Sequence, residues 1–395
     1  MRLLSVAGEY LGLAREGVTL DRESCLHGRD RFSACDACFE ICPVGTIIPG
    51  NPPSLVEDAC RNCLACLTVC PVDAFRGTDV LQSLLECMPK VQGHAVELLC
   101  QHHPQPGLSD CEDGLGLQIK GCLSGLGVGA LVALALSAPD QVSLRLDACR
   151  ECRWNSLRAV IEGQIRAANE ILSAWNCERR IHCVTAVGQG LNRPLWQSDS
   201  PPVSRRELFK MLSIRDQLSG PEGTGYETAG GRRKPGRDQH RLLHAAEHIA
   251  DLKIDDDRPL PEGLSYGVVT IGDACIACGA CIRICPTGAL RIREDQSHKT
   301  YEIAFKPQLC VGCEACAHIC PVDAVRVSQA ATIQDVFGHK KLQTLFSGEL
   351  RECEKCHAHF VSRGQQNLCP ICSARRQDPF GSEALAALMD RDNEP

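Results

Sequence analysis

The sequence has few aromatic residues, little net charge and none of the common motifs for nucleotide, flavin or hydrolytic chemistry. Aromatic residues make up 4% of 395 residues, and 42 basic against 49 acidic side chains leave a net charge of −7. This acidic balance argues against nucleic acid as the main partner. There is no G-x-G-x-x-G after a predicted strand, no P-loop and no H-E-x-x-H, so nothing indicates a dinucleotide, nucleoside triphosphate or metalloprotease site.

Long apolar runs are also scarce. One uncharged stretch, residues 121–138, reaches eighteen residues, a length at which a membrane helix must be considered. Four glycines, a cysteine and two serines dilute it, and it continues through Pro139 into a strand-like stretch. We therefore expect a buried helix of an α/β unit and no integral membrane span.

Cysteine, in contrast, is abundant. The chain has 28 cysteines, far more than small buried hydrophobic residues would account for. A disulfide-stapled secreted protein is normally short and carries a signal peptide, whereas the first residues here show no sustained apolar core and no cleavage site. We therefore expect a cytoplasmic protein, or one peripheral to a membrane complex, whose reduced thiolates bind metal.

The motif C-x2-C-x2-C-x3-C-P occurs twice in the C-terminal half, at residues 275–286 and 310–321. Three cysteines on a tight loop can bind three irons of a cubane, while the fourth reaches the neighbouring cluster. The spacing therefore predicts two interleaved ligand sets, which zinc sites with four local ligands do not show. Group C comprises Cys285, Cys310, Cys313 and Cys316, and group D comprises Cys275, Cys278, Cys281 and Cys320.

A second pair of motifs lies near the N-terminus and departs from the pattern at one position. Residues 60–76 repeat residues 310–326, but the partner motif has Phe32 where its first ligand belongs. Cys25, seven residues upstream, is the candidate replacement because a loop of that size folds back at modest entropic cost. A three-iron or labile cluster, or another ligand, is the alternative. Group A comprises Cys25, Cys35, Cys38 and Cys70, and group B comprises Cys42, Cys60, Cys63 and Cys66.

These motifs resemble bacterial dicluster ferredoxins, over about 60 residues in the C-terminal copy. The resemblance implies two ferredoxin-like modules with four [4Fe–4S] clusters. Alternating residues at 290–293 and 301–305 predict short strands that close the second module.

Two cysteine knuckles follow, Cys353 with Cys356 and Cys369 with Cys372. Four cysteines at this spacing can hold one tetrahedral metal ion. The pair resembles zinc ribbons and, less closely, rubredoxins. We expect zinc in preference to a single iron.

The region between the modules is predicted to be α/β. Strands are expected at 95–99, 142–146 and 180–186, each ending near a cysteine, with a long helix at 155–175. Parallel strands bring their carboxyl ends to one edge of a sheet, so four cysteines could converge there as a fifth metal site, most plausibly an iron–sulfur cluster. Group M comprises Cys100, Cys122, Cys149 and Cys152. The alternative is that Cys149 and Cys152 form a redox-active thiol pair and the other two are small buried residues.

This arrangement weakly resembles the small iron–sulfur subunit of methyl-viologen-reducing hydrogenase and heterodisulfide reductase systems. The resemblance points to their physiology and assigns no further residues. Four cysteines have no partner by spacing: Cys87, Cys111, Cys177 and Cys183.

The predicted fold is α+β and α/β multidomain, with two ferredoxin-like dicluster modules flanking a small parallel-sheet domain. The expected parts are a dicluster module at 1–80, a cysteine-rich α/β domain at 81–196, a linker at 197–265, a second dicluster module at 266–332, and a zinc-ribbon-like part at 333–395. In the linker, one short helix is expected after Ser204 and another from Gln239 to about Lys253.

The predicted function is iron–sulfur electron transfer, as a subunit of or donor to a larger oxidoreductase. A hydrogenase, a formate dehydrogenase or a heterodisulfide-reductase-like complex would be such a partner, and we expect a hetero-oligomer. Two alternatives remain open: the middle domain itself reduces a disulfide or sulfur compound, or the chain is an iron–sulfur redox sensor or assembly factor.

Overall fold

The computed structural model describes residues 17–91, 93–188, 190–200, 234–249, 254, 257–295, 297, 299–338, 342–362 and 366–377. The helix expected after Ser204 lies outside these residues. The α-helices are Leu26–Arg29, Ala37–Ile41, Ala65–Val69, Val80–Cys87, Gly127–Ser137, Ser156–Ala174, Arg237–His248, Ala280–Ile284, Ala315–His318 and Pro370–Gln377. The strands are β1 Thr19–Leu20, β2 Ile47–Ile48, β3 Ser54–Leu55, β4 Phe75–Arg76, β5 Ala95–Cys100, β6 Leu108–Ser109, β7 Gly114–Ile119, β8 Val142–Arg145, β9 Ile181–Val184, β10 Leu191–Asn192, β11 Leu195–Gln197, β12 Val268–Ile271, β13 Leu290–Asp295, β14 Thr300–Phe305, β15 Val325–Ser328, β16 Gln343–Glu352 and β17 His359–Ser362.

The middle of the chain forms a five-stranded parallel sheet in the order β11-β7-β5-β8-β9. The predicted parallel α/β architecture is thus confirmed, with β5 at its centre. Strands β7 and β11 were not predicted. Gly114 and Gly116 dilute the β-propensity of β7, and a side chain at Gly116 would lie 2.8 Å from Leu195 of β11, so glycine there allows the edge strand to pack.

The uncharged stretch at 121–138 forms the buried helix Gly127–Ser137. A 3₁₀ turn over Leu123–Gly125 precedes it, so the α-helix starts later than the apolar composition alone indicates. None of the helices in the described part of the chain has the length and apolar character that crossing a bilayer requires.

The helix Arg237–His248, which we call the docking helix, packs against the helix Gly127–Ser137. The carboxylate of Asp238 accepts a hydrogen bond of 2.8 Å from the N–H of Gly129, one of the first-turn donors that a helix leaves without an internal partner. Arg241 donates to the carbonyl of Leu126 at 2.9 Å and pairs with Asp79. The sequence predicted this helix as part of a linker from Gln239 to about Lys253.

The docking helix also contacts both segments in which the sequence predicts a dicluster module. Lys234, just before it, and Arg237 pair with Asp73 of the first module. The amide of Gln239 donates to the carbonyls of Gln308, at 2.9 Å, and Cys310, at 3.1 Å, in the second module. The docking helix therefore holds three cysteine-rich parts of the chain together.

Apolar packing joins the same parts. One continuous core includes residues of the first module, the middle sheet and the second half of the chain. Within it, the ring of Phe337 meets Trp175 at 5.4 Å and Tyr266 at 6.0 Å between centroids. Burial of these aromatic surfaces fixes the second module against the middle domain.

The C-terminal four-cysteine segment shares a sheet with the second module. Strand β14 pairs with β13 on one side and with β16 on the other, and β16 continues to β17, all antiparallel. The sheet spans the boundary expected at residues 332–333, so a rigid connection joins the two parts.

The approach of the docking helix requires glycine. A Cβ at Gly129 would lie 2.3 Å from the backbone oxygen of Asp238, and one at Gly127, where φ is +77°, would lie 2.4 Å from its carboxylate. Gly129→Ala should therefore destabilise the protein by about 1–3 kcal/mol through overpacking, measured by denaturant unfolding of anaerobic protein.

The matched control is Gly163→Ala in the helix Ser156–Ala174. Nothing lies closer than 4.0 Å to a Cβ at that position, so the same substitution should stabilise by about 0.5–1 kcal/mol. Equal effects of the two substitutions would contradict the close packing described.

Candidate metal centres

Left-handed backbone residues shape the cysteine loops. In three of the four motifs the residue after the second cysteine has positive φ: Leu64 at 65°, Gly279 at 69° and Glu314 at 60°. Non-glycine residues adopt this conformation only where the surrounding structure imposes it. The repeated conformation shows that the three loops turn around their cysteines in the same way.

The fourth cysteine of each motif lies at the end of a short helix. The helices Ala37–Ile41, Ala65–Val69 and Ala280–Ile284 end at Cys42, Cys70 and Cys285, and Cys320 follows the helix Ala315–His318 closely. The next turn donates back to sulfur in both modules: the N–H of Ala74 lies 3.2 Å from Cys70 Sγ and that of Ala324 lies 3.3 Å from Cys320 Sγ. The sequence repeat therefore gives the sulfurs of Cys70 and Cys320 the same hydrogen-bond donor.

Group A departs from this geometry where its sequence departs. Asp36, at the position of Leu64, has φ −122°. Phe32, at the position of the first ligand, is 60% exposed, and its N–H is held by Asp30 at 2.9 Å. The substituted position thus does not face the site.

Cys25 instead lies with the other members of group A. Burial, followed by the neighbouring thiols of Cys70, Cys35 and Cys25, raises the pKa of Cys38 to about 12. His27, in the turn after Cys25, lies with Nε2 2.6 Å from the carbonyl of Cys35. The local helix therefore brings Cys25 back to the loop, although its role as a ligand stays a prediction.

The remaining interleaved sets are also brought together as the spacing predicts. In group B, burial and then Cys63, Cys60, Cys42 and Cys70 raise the pKa of Cys66. In group C, burial and then Cys310, Cys313, Cys285 and Cys281 raise the pKa of Cys316. In group D, burial and then Cys275, Cys278 and Cys320 raise the pKa of Cys281 to about 11.

These pKa shifts indicate what the groups can bind. Burial and mutual repulsion disfavour the thiolates of Cys38, Cys66, Cys281 and Cys316, so their ionised form needs a positive partner. At Cys42 burial is outweighed by hydrogen bonds from Thr46 and its neighbours, which lower the pKa of that thiol. Iron ions supply that charge, and thiolate is the form of cysteine that ligates metal. Four cysteine thiolates are the donor set of a [4Fe–4S] cluster, so groups A to D fit iron–sulfur clusters.

Group M lies at the carboxyl edge of the parallel sheet. Cys100 ends β5, Cys122 follows β7, and Cys149 lies in a 3₁₀ helix after β8. Burial and then the thiols of Cys100, Cys122 and Cys152 raise the pKa of Cys149 to about 12. All four cysteines line an open cavity of about 780 Å³. The convergence expected from strand order is present.

A buried charge network beside group M was not predicted. Arg145 donates to both carboxylate oxygens of Asp147 at 2.7 and 2.9 Å and contacts Glu97 at 3.2 Å. His103 lies 3.2 Å from Asp147, and Arg193 also pairs with Glu97. These bonds fix the loops that carry Cys100 and Cys149.

This network was missed because its members are far apart in sequence. The signal available was the charge at Glu97, inside β5, and at Arg145, the last residue of β8. Ion pairs at such depth must be matched to be tolerated, so an isolated buried charge in a strand indicates a partner without identifying it.

The C-terminal group has a tighter geometry. The sulfurs of Cys353, Cys356, Cys369 and Cys372 all lie within 4.8 Å of one another, and this is the one such set found in the part of the chain that the structure describes. Cys356 Sγ and Cys369 Sγ are 3.8 Å apart, which matches the edge of about 3.8 Å for a tetrahedron with metal–sulfur bonds of about 2.3 Å. The group could therefore hold a single metal ion, whereas wider groups suit a larger cofactor.

The four unassigned cysteines stay outside these groups. Cys87 is buried, with Sγ 3.5 Å from the carbonyl of Ser198. Cys111 and Cys177 are half-buried, and Cys183 is exposed on β9.

Comparison with known families bears on two segments. Residues 274–324 match a 4Fe-4S dicluster domain and contain every member of groups C and D. Residues 53–76 match a 4Fe-4S binding domain that includes Cys60, Cys63, Cys66 and Cys70, while the irregular motif at 25–42 lies outside both matches. No curated protein matches the chain. The chain therefore contains ferredoxin-type 4Fe–4S domains in its N-terminal and C-terminal parts, followed by a four-cysteine site that could bind a metal.

Proposed function

We propose that this protein conducts electrons through iron–sulfur clusters, as a subunit of or donor to a larger oxidoreductase. The observation that carries the proposal is that the fourth cysteine of each motif lies among the thiols of its partner motif, in two ferredoxin-type modules. A hydrogenase, a formate dehydrogenase or a heterodisulfide-reductase-like complex is the class of partner that such a subunit serves. The chain would work in the cytoplasm as part of a hetero-oligomer.

In this proposal groups A to D hold four [4Fe–4S] clusters. When bound, such clusters exchange single electrons at potentials between about −700 and +450 mV. The protein tunes them with burial and with N–H groups aimed at sulfur, such as those of Ala74 and Ala324. These donors stabilise negative charge on the ligand, so they favour the reduced form.

Group M would hold a fifth iron–sulfur cluster, and the C-terminal group a zinc ion. The convergence of four thiols in group M favours a cluster over a thiol pair, since a pair would not need Cys100 and Cys122 beside it. The zinc site would be structural, because all four positions of the tetrahedron are taken by cysteine.

A second candidate function is reduction of a disulfide or sulfur compound at group M. The open cavity beside Cys149 and Cys152, lined also by Trp154 and Arg158, favours this candidate, since a small substrate could enter it. The ferredoxin modules would then supply its electrons.

Metal analysis tests the main proposal. Anaerobically purified full-length protein should contain about sixteen iron atoms and matching labile sulfide in groups A to D, more if group M is loaded, and about one zinc. Redox titration followed by electron paramagnetic resonance should show several one-electron transitions. Protein with far less iron, or iron without sulfide, would remove the basis for electron conduction.

The assignment of Cys25 is tested by Cys25→Ala. The three remaining ligands of group A should leave a three-iron or labile cluster, so iron content falls and the oxidised protein gains a three-iron resonance signal. Cys183→Ala is the control, because this exposed cysteine belongs to no group. If Cys25→Ala keeps the wild-type iron content and signals, another residue is the ligand.

Cys149→Ser with Cys152→Ser separates the two roles of group M. Loss of one cluster signal and of its iron is expected for a cluster site, because two of four thiolate ligands are removed. A catalytic thiol pair would instead give normal iron content together with loss of disulfide-reducing activity. That second pattern would favour the sulfur-compound reductase.

A further inference from the structure

Contacts between cysteine loops link group M to group B and group A to group C, which the two family matches do not indicate. The argument starts at group M. A Cβ at Gly125, three residues after Cys122, would lie 2.5 Å from the Cβ of Leu64, and Ser124 Oγ donates to the carbonyl of Cys63 at 3.4 Å. The loops of groups M and B are therefore in direct contact.

The thiols of these two groups also share one environment. Cys63, Cys122 and Cys152 pack against the same small core, formed by Ala65, Trp154 and Leu157. Group M is thus the neighbour of group B.

Group A is joined to the second module. Asp30 lies in the loop between Cys25 and Cys35, and its carboxylate is 2.9 Å from Nδ1 of His318. The rings of His318 and Phe32 lie 6.2 Å apart. Since His318 follows Cys316 of group C by two residues, the loops of groups A and C meet at this pair.

The docking helix holds this joint in place. Gln239 donates to the carbonyl of Cys310 in group C, while Lys234 and Arg237 pair with Asp73, three residues after Cys70 of group A. The docking helix and the residue just before it therefore contact both modules where they meet.

Groups D and M each offer an opening to solvent. Cys278 of group D is exposed, whereas members of groups A, B and C are buried or half-buried. Group M lines an open cavity. We therefore place the exchange of electrons with partners at the exposed Cys278 of group D and at the cavity beside group M.

We propose that the five groups form one electron path in the order M, B, A, C, D, with the contact between Asp30 and His318 as the joint between modules. The proposal rests on the proposed function. Each step moves one electron, so the donating site is oxidised by one unit, the accepting site is reduced by one unit, and no bond is made or broken. Partner redox proteins supply the electron at one end and accept it at the other.

Magnetic coupling tests the order, since paramagnetic neighbours broaden and relax one another's signals. In dithionite-reduced full-length protein, the double variant Cys63→Ala and Cys66→Ala should abolish the coupling of the group M signal. The group M signal is identified by its loss in Cys149→Ser with Cys152→Ser. The coupling between groups C and D should stay as in the wild type.

The matched variant is Cys278→Ala with Cys281→Ala, which removes ligands of group D. It should abolish the coupling between groups C and D and leave that of group M unchanged. If the group M signal responds to this variant and not to the group B variant, the order is overturned. Wild-type protein that lacks iron and sulfide would instead overturn the proposed function.

Two further measurements keep the order testable if a cysteine variant fails to fold. A cryo-EM map of the loaded wild-type protein should show groups M and B, and groups A and C, as nearest neighbours between modules, and any other succession refutes the path.

His318→Ala should weaken the coupling between groups A and C at unchanged iron content, with the exposed His182→Ala as control. Unchanged coupling in His318→Ala would refute the joint.

Discussion

The fourth cysteine of each loop lies among the thiols of its partner loop, and both modules are built around this arrangement. Cys70 leaves its own loop to lie with Cys25, Cys35 and Cys38, and Cys42 makes the reverse move. Buried thiolates repel one another unless cations are shared among them, and in the predicted ligand sets each loop is complete only when its partner is in place. This reciprocity makes each module a unit and sets two groups side by side.

The docking helix connects the two modules to the middle domain. Its residue Asp238 is buried against the start of the helix Gly127–Ser137, and Gln239 reaches the backbone of the second module. Glycines at 127 and 129 leave the space for this contact. Because glycine has no side chain, these two positions allow the helices to approach closely. Adding even one methyl group there should disturb the interface between the three parts of the chain.

For function, these contacts mean that electrons can pass between groups held at fixed separations. Electron transfer falls steeply with distance, so modules on flexible tethers would exchange electrons only during encounters. Here the shared core, the Asp30–His318 pair and the sheet that joins β14 to β16 hold the groups at fixed separations. The protein thereby determines path and potential while the iron–sulfur groups supply the chemistry.

The cysteine groups were predictable from the sequence, because C-x2-C-x2-C-x3-C is a local geometry that a few residues impose, and strands ending near cysteines predicted the parallel sheet. The sequence also located the irregularity at Phe32 and the candidate Cys25. The tertiary structure alone decided that residues 237–248 form a docking helix rather than part of a linker, that Glu97 and Arg145 share a buried network, and that group M adjoins group B. These contacts join residues far apart in the chain, where the pattern of neighbouring residues carries no information and packing in three dimensions selects the partner.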